Sequence, residues 1–446
     1  LHHPNALGAS FTPLRSFCAS KSPADTGEVS LSTAPGSLVA SHRDHTSSYH
    51  RLIIAMTAGG LANFSGMYFV QPLLPLLATQ YHVAPAESAH VLSITTLTII
   101  IGLLMAGPLS DRFGRVPLLR WSLIGSGLLG LASAFAPTWE LLLVSRGLLG
   151  ITSAWFPAAA LAYLREEVHP LSYTRANAAY IVGTALGGAV GRLLPGPLAA
   201  LGGWTLTAAT MGILTLLSGA ALWLLLPPAK GFRPHQVDTR ELLLGTISAP
   251  LDPVIGWLSV AGFAAMGTFV AVYNAMAFRL QAPPFALGHA ASWVYLAYLL
   301  GIAAPLLVRR LSDRIGRGRS TVLTAALLAA AVALTSVENL ASAVLGLGLL
   351  TFAFLGVHSL LSGWVVDRAS RQQLGNAQAS SAYLLTYYLG STVLGALATV
   401  LWQDHGWLAV EALGLGGAAL AVLAAAFASR FDLNPRVRTQ GDPTHL

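Results

Sequence analysis

The sequence predicts an all-α membrane protein: twelve transmembrane helices in two pseudo-symmetric six-helix bundles. Three observations point there. The 446 residues are 54% hydrophobic and only 10% charged, with a mean hydropathy of +0.64. A soluble domain carries roughly 25% charged residues, so these charges cannot cover a water-soluble body of this size. Apolar runs near the ~20 residues that cross a ~30 Å hydrocarbon layer recur twelve times. Finally, the loop sequence GPLSDRFGR at 107–115 returns as RRLSDRIGR at 309–317, which places Asp111 and Asp313 202 residues apart.

In chain order, residues 1–50 are rich in Ser, Pro, Gly, Thr and His with no sustained apolar run, and read as a disordered cytoplasmic tail. They lack the compact apolar stretch of a secretory signal. His2, His3, His42, His45 and His50 read as part of that tail rather than as metal ligands. The N-terminal bundle, 51–226, holds spans at 52–78, 88–109, 117–136, 140–164, 173–198 and 204–226. A polar cytoplasmic linker, 227–253, follows. The C-terminal bundle, 254–430, holds spans at 254–279, 287–308, 320–336, 341–365, 375–401 and 407–429, before a cytoplasmic tail at 431–446. Pro and Gly inside these runs are compatible with helix, because neighbouring helices can satisfy freed backbone groups.

Charge orients the bundle. All of the 25 Lys and Arg except Arg146, Arg192 and Arg279 fall in the tails and in alternate loops on one side. The opposite loops carry Glu87, Glu338 and Asp404 and no basic residue. The positive-inside rule therefore predicts a multi-pass protein of the bacterial inner membrane with both termini cytoplasmic. The formal charge of +7 raises the question of nucleic acid, but the basic residues are scattered, with no basic helix or stripe, so no nucleic-acid partner is expected. Cys18 stands alone and can form neither an intrachain disulfide nor a cysteine metal cluster. GSGLLG at 125–130 matches a dinucleotide pattern, but it lies inside the third span rather than in a strand-to-helix turn. There is no GxxxxGK, HExxH or GxSxG. The chain reads as no enzyme, with no cofactor.

The paired loops resemble the loop signature of the major facilitator superfamily of transporters. That resemblance implies two bundles around a central cavity. It also implies that Asp111 caps a helix start in the other half, here near Gly375 and Asn376, to hold an outward-open state. Gly107 lets adjacent helices approach, Gly114 turns the chain, and Arg112 and Arg115 supply partners. The second copy keeps Asp313, Arg314, Gly316 and Arg317 but has Arg309 where the first has Gly107. RGLLGITSAWFPAAALAYLREEV (146–168) resembles the fourth-helix motif of proton-coupled members. GTALGGAVGRLLPGPLAALGG (183–203) partly resembles the glycine–proline motif of antiporters, with Arg192 where that motif has Pro. MYFVQPLLPLLA (67–78), AVYNAMAFRLQAPPFALG (271–288), HSLLSGW (358–364) and SSAYLLTYYLG (380–390) resemble the YnfM-like branch of efflux permeases. The likeness covers 50–430.

The chemistry of the spans supplies the candidate pathway. An intramembrane arginine must face protein or a water-filled cavity. Arg146 therefore reads either as a functional group or as a structural partner of Glu140 or a backbone carbonyl. Arg192, at a similar depth on the neighbouring helix, either receives an anion together with Arg146 or snorkels to the headgroups. Asn63, Tyr68, Gln71, Tyr273, Asn274, His358, Tyr383 and Tyr387 place polar groups in apolar helices. In lipid each needs a partner from protein, substrate or cavity water. Helices one, four, seven and ten line the cavity in the superfamily, which puts Asn63, Asn274 and His358 foremost. Each is alternatively an ordinary interhelical hydrogen bond. No carboxylate lies near the middle of a span, so proton coupling falls to Asp111, His358, Glu411 or an arginine-linked network.

The expected function is secondary active export of a small organic solute (drug, sugar or metabolite) by alternating access, with the proton gradient as coupling source. The expected protein is a monomer in the bilayer. A facilitator or importer of sugars or organic acids on the same fold is the first alternative, and a non-transporting membrane sensor the second.

Overall fold

In the computed structural model, residues 46–227, 229 and 239–433 are described. The N-terminal tail through His45, with Cys18 and the histidines before His50, lies outside them, as do Lys230, Arg233 and residues 434–446. Among the described residues twelve long helices cross the body: α1 (Ser47–Tyr68), α2 (His90–Phe113), α3 (Arg115–Ala134), α4 (Trp139–Glu167), α5 (Pro170–Leu193) and α6 (Pro195–Leu225). The second set is α7 (Pro253–Arg279), α8 (Gly288–Ile315), α9 (Arg317–Ser336), α10 (Leu340–Arg371), α11 (Asn376–His405) and α12 (Trp407–Leu433). Eleven are long and apolar enough to span a membrane. The exception is α5, whose composition is diluted by glycine, polar residues, Arg175 and Arg192. The boundaries shift by a few residues from those read in the sequence: α1 starts at Ser47, before 51, and α12 runs to Leu433, past 430. Part of the linker is also folded, as a helix at Thr239–Ser248 and a 3₁₀ turn at Ala249–Leu251.

The repeat is visible in the packing. In the first half α1 packs on α5 and α6, α2 on α4, and α3 on α4 and α6. In the second, α7 packs on α11 and α12, α8 on α10, and α9 on α10 and α12. Each pair recurs six helices later. The halves meet through α2 against α11 and α5 against α8, which is the same pair exchanged. We call the end where α1 begins and α12 finishes the basal end, and the opposite one the far end.

Small residues set these approaches. A Cβ on Gly183, Gly187 or Gly191 of α5 would collide with the α1 backbone at Thr57, Leu61 and Ser65. Four-residue spacing of glycine brings backbones close and maximises dispersion where lipid offers no hydrophobic drive. This accounts for three glycines of the 183–203 stretch, Gly183, Gly187 and Gly191, as packing. α6 breaks at Gly202–Gly203, where Gly203 takes φ +63°, and the span read as starting at 204 begins at that break.

α8 is wound differently from its neighbours. Its first sixteen residues, Gly288–Ala303, form a 3₁₀ helix. Three residues per turn align positions three apart. Trp293, Leu296 and Leu299 accordingly form an exposed row, while Ser292, Tyr295, Tyr298 and Gly301 form a buried one. This winding aims two tyrosines at the junction of the halves.

Candidate functional site

The three arginines outside the basic loops all sit in the far part of the molecule, and all are buried. Arg146 on α4 donates from Nη1 to Gly66 O (3.2 Å) and from Nη2 to Met67 O (2.7 Å). Those carbonyls belong to the last turn of α1, whose unpaired acceptors and negative dipole end favour a cation. Arg279 on α7 does the same for the end of α9, donating to Thr335 O and to Ser336 O (3.0 Å), with its guanidinium 4.1 Å from the Trp407 ring centroid. The partner of Arg146 is thus a backbone carbonyl and not Glu140. Glu140 lies exposed at the far end.

Arg192 is arranged otherwise. It is 1% exposed, so it does not snorkel. Its guanidinium lies 4.6 to 5.6 Å from the ring centroids of Tyr68, Tyr298, Tyr273 and Phe269, residues drawn from both halves. Nη1 donates to Gly188 O (2.8 Å) and Nε to Gln71 Oε1 (2.7 Å). Gln71 then donates from Nε2 to Asn274 Oδ1 (2.8 Å), and Asn274 from Nδ2 to Gly395 O (3.2 Å). The result is one directed chain of donors from α5 through the end of the first span to α7 and α11. Such chains polarise one another in a low dielectric. Other hydrogen bonds close the same end: Thr96 with Thr392 (2.8 Å), Ala86 N with Gln403 Oε1 (3.0 Å), and Thr399 Oγ1 with Ala86 O (3.4 Å).

Towards the basal end from this closure stands a second aromatic group. His358 Nδ1 is 2.9 Å from Tyr383 Oη, and its ring packs against Phe354, Tyr383 and Tyr387. Tyr273 is joined to Thr351 (2.6 Å), stacks on Tyr295 and packs at a tilt against Phe269. Tyr68, Gln71, Arg192, Tyr273 and Asn274 thus form one cluster at the junction, with His358, Tyr383 and Tyr387 beside it.

Asn63 does not join them. It points into the first half, where with Ser126, Leu149, Met211, Thr215 and neighbouring residues it lines a cavity of about 10 Å³, room for about one water. Its side chain faces away from the junction because the helical turn that aims Tyr68 there rotates Asn63 towards α3 and α6. Tyr295, Tyr298, Phe269 and Tyr388 belong to the aromatic surround and were not singled out in the sequence. The burial of the first two follows from the three-residue winding of α8, which the apolar run does not reveal.

At the basal end the loop copies diverge. In the first, Asp111 pairs with Arg115 Nη1 (2.7 Å), which also takes Ser110 Oγ (2.6 Å), while Arg115 Nε reaches Glu166 on α4 (3.1 Å). The expected contact of Asp111 with the start of α11 is not made. No hydrogen bond joins them among the described residues, Asn376 is held by Ser370 (3.0 Å), and Gly375, Asn376 and Ala377 are exposed. The start of α11 is exposed at this end, and in this conformation the partner of the carboxylate is Arg115, four residues on. In the second copy Arg317 pairs with Asp367 of α10, while Asp313 and Arg314 are exposed. Arg112 is exposed above Phe113. Gly114 and Gly316 adopt φ +91° and +87° at equivalent turns, a region that admits glycine at no steric cost. Gly107 sits against Leu242 of the linker helix. Beside these, Arg368 bonds Asp252 (2.7 Å) and Asp432 (3.3 Å), tying α7, α10 and α12 together.

A membrane body of two repeated six-helix halves, joined at one end around a polar and aromatic junction, defines a solute transporter rather than an enzyme. Sequence comparison gives the same class. The model of the Major Facilitator Superfamily matches residues 56–393, and the chain belongs to that family. The uncharacterized MFS-type transporter YybF of Bacillus subtilis (strain 168) is 34% identical over 369 residues, 82% of this chain and 91% of that one. The inner membrane transport protein YnfM of Escherichia coli (strain K12) is 32% identical over 368 residues, 82% of this chain and 88% of its own. Among solved structures, a bacterial homologue of the human lysosomal transporter Spinster, inward-facing and occupied, superposes with a TM-score of 0.65. It shares 15% identity over 87% of this chain and 97% of that one, a likeness of fold.

Proposed function

We propose that this transporter moves a small organic solute by alternating access and that its basal end is cytoplasmic in a bacterial inner membrane. The orientation rests on the basic loops. The observation that carries the mechanism is the asymmetry of the junction. The halves are bonded at the far end through Arg192, Gln71 and Asn274, while the start of α11 and the Asp313 loop are exposed at the basal end. In a repeated bundle, one closed and one open end is what rocking about a central site produces. The solute site is the aromatic ground between them, at Tyr68, Tyr273, His358, Tyr383 and Tyr387.

Export coupled to inward proton movement is the direction we favour, with His358, bonded to Tyr383, as the proton-carrying group. A histidine is the side chain best placed to change charge near neutral pH. A second reading, facilitated passage without protons, is favoured by one observation: every described Asp and Glu lies at a helix end or in a loop. Purified monomer in proteoliposomes is expected to show counterflow of labelled solute. Binding without any flux would leave a membrane sensor as the function. An imposed pH gradient then decides coupling: accumulation supports exchange, and indifference supports facilitation.

A further inference from the structure

The three buried arginines outside the basic loops differ in what holds them. Arg146 and Arg279 each rest both terminal nitrogens on main-chain carbonyls at a helix end. Arg192 has one carbonyl, that of Gly188 on its own helix, and one movable side chain, Gln71. Among the described residues its Nη2 is buried without a hydrogen bond, as is Nε of Arg146, and Tyr295 Oη in the same aromatic cluster as Arg192 is likewise unpartnered. No carboxylate pairs with Arg192 among the described residues. A guanidinium out of water and unmatched by an anion is costly, and an unmade donor adds to that cost.

The edges of the guanidinium restrict what can satisfy it. A carboxylate binds arginine through two parallel N–H donors on one edge. The free Nη2 shares one edge with Nη1, engaged by Gly188 of the same helix, and the other with Nε, engaged by Gln71. The Gly188 carbonyl is fixed by α5. Gln71 is an amide side chain, and its opposite end is the hydrogen bond to Asn274 that joins the halves.

We propose that Arg192 is the anion-recognising group of the solute site, and that a carboxylate taking its Nε–Nη2 edge displaces Gln71 and so releases the bond between the halves. The proposal rests on the transport reading above and names its substrate class: organic carboxylates with an aromatic or planar apolar body, which Tyr68, Tyr273 and Tyr298 would face. The same displacement makes solute binding open the far end, because Gln71 cannot hold Asn274 in place once its own oxygen has lost Arg192.

The test uses benzoate, with benzamide as its uncharged counterpart, on purified full-length protein. Benzoate is expected to raise the unfolding temperature and benzamide to leave it unchanged. Gln71→Ala removes the competitor and is expected to tighten benzoate binding about tenfold, the worth of one charge-assisted hydrogen bond. Arg192→Lys keeps the charge but not the paired donors, and is expected to weaken it by a similar factor. Equal responses to benzoate and benzamide in both wild type and Gln71→Ala would overturn the anion site. For the latch, Cys18 is replaced by serine and cysteines are placed at Ala86 and Gln403. Benzoate is expected to slow their cross-linking by a short bis-maleimide several-fold. Benzoate binding with an unchanged cross-linking rate would overturn the release. Loss of counterflow with benzoate binding intact would count against transport and leave the anion site standing.

Discussion

At the scale of single residues, the two loop copies hold different partners. Arg115 gathers Asp111, Ser110 and Glu166, whereas Arg317 takes Asp367 and leaves Asp313 in solvent. The Asp111 and Arg115 side chains are 18% and 16% exposed, so their pair is partly screened and contributes about 1 kcal/mol. Asp111→Asn is therefore expected to slow counterflow by roughly fivefold, the rate equivalent of that energy, and Asp313→Asn to leave it near wild type. Equal tolerance of both would remove the role given to Asp111. The turns that follow are alike. Gly114→Ala and Gly316→Ala each force a Cβ into positive φ and are expected to cost about 1–2 kcal/mol, read as a lowered unfolding temperature in detergent. Gly363→Ala is the control: it lies within α10 with open space around its missing Cβ and should be neutral or stabilising.

At the scale of elements, a hydropathy window locates helices but not their winding or rotation. It found α8, yet the 3₁₀ period that buries Tyr295 and Tyr298 in one row appears only when exposure is read residue by residue. Cysteines at Trp293, Leu296 and Leu299 are expected to react with a lipid-soluble maleimide, and those at Ser292, Tyr295 and Tyr298 to be protected. A 3.6-residue pattern of reactivity along 292–299 would contradict the winding. Rotation also explains Asn63 and Tyr68. Both are polar groups on α1 and equally legible as such, but five residues on an α-helix is about 500° of rotation, which turns one into the first half and the other to the junction. On α5 the glycine spacing was legible. That it serves the α1 contact became visible only with Thr57, Leu61 and Ser65 opposite.

At the scale of the whole molecule, the halves behave as bodies bonded at one end. Cysteines at Asp313 and Asn376 are expected to react readily with a water-soluble maleimide in the conformation described, and more slowly in any state that closes the basal end and opens the far one. His358→Gln is expected to abolish solute accumulation driven by a pH gradient while sparing counterflow, since it keeps a hydrogen-bonding partner for Tyr383 but no titratable ring. Loss of both activities together would mark His358 as a solute contact instead of a proton carrier.

Composition, the positions of the apolar runs, the basic loops and the duplicated GPLSDRFGR pattern determined the twelve helices, their repeat and the family, because membrane crossing depends on local apolar length and repetition is a property of the chain itself. They also marked Arg146 and Arg192 as exceptional, since charge inside an apolar run is visible without coordinates. Only the tertiary structure decided their partners. Whether a buried guanidinium meets fixed carbonyls, as Arg146 does, or a movable amide and four aromatic rings from both halves, as Arg192 does, depends on which helices lie opposite. That is settled by packing between residues far apart in the chain, 79 positions for Arg146 and Met67 and 121 for Arg192 and Gln71, which no local pattern records.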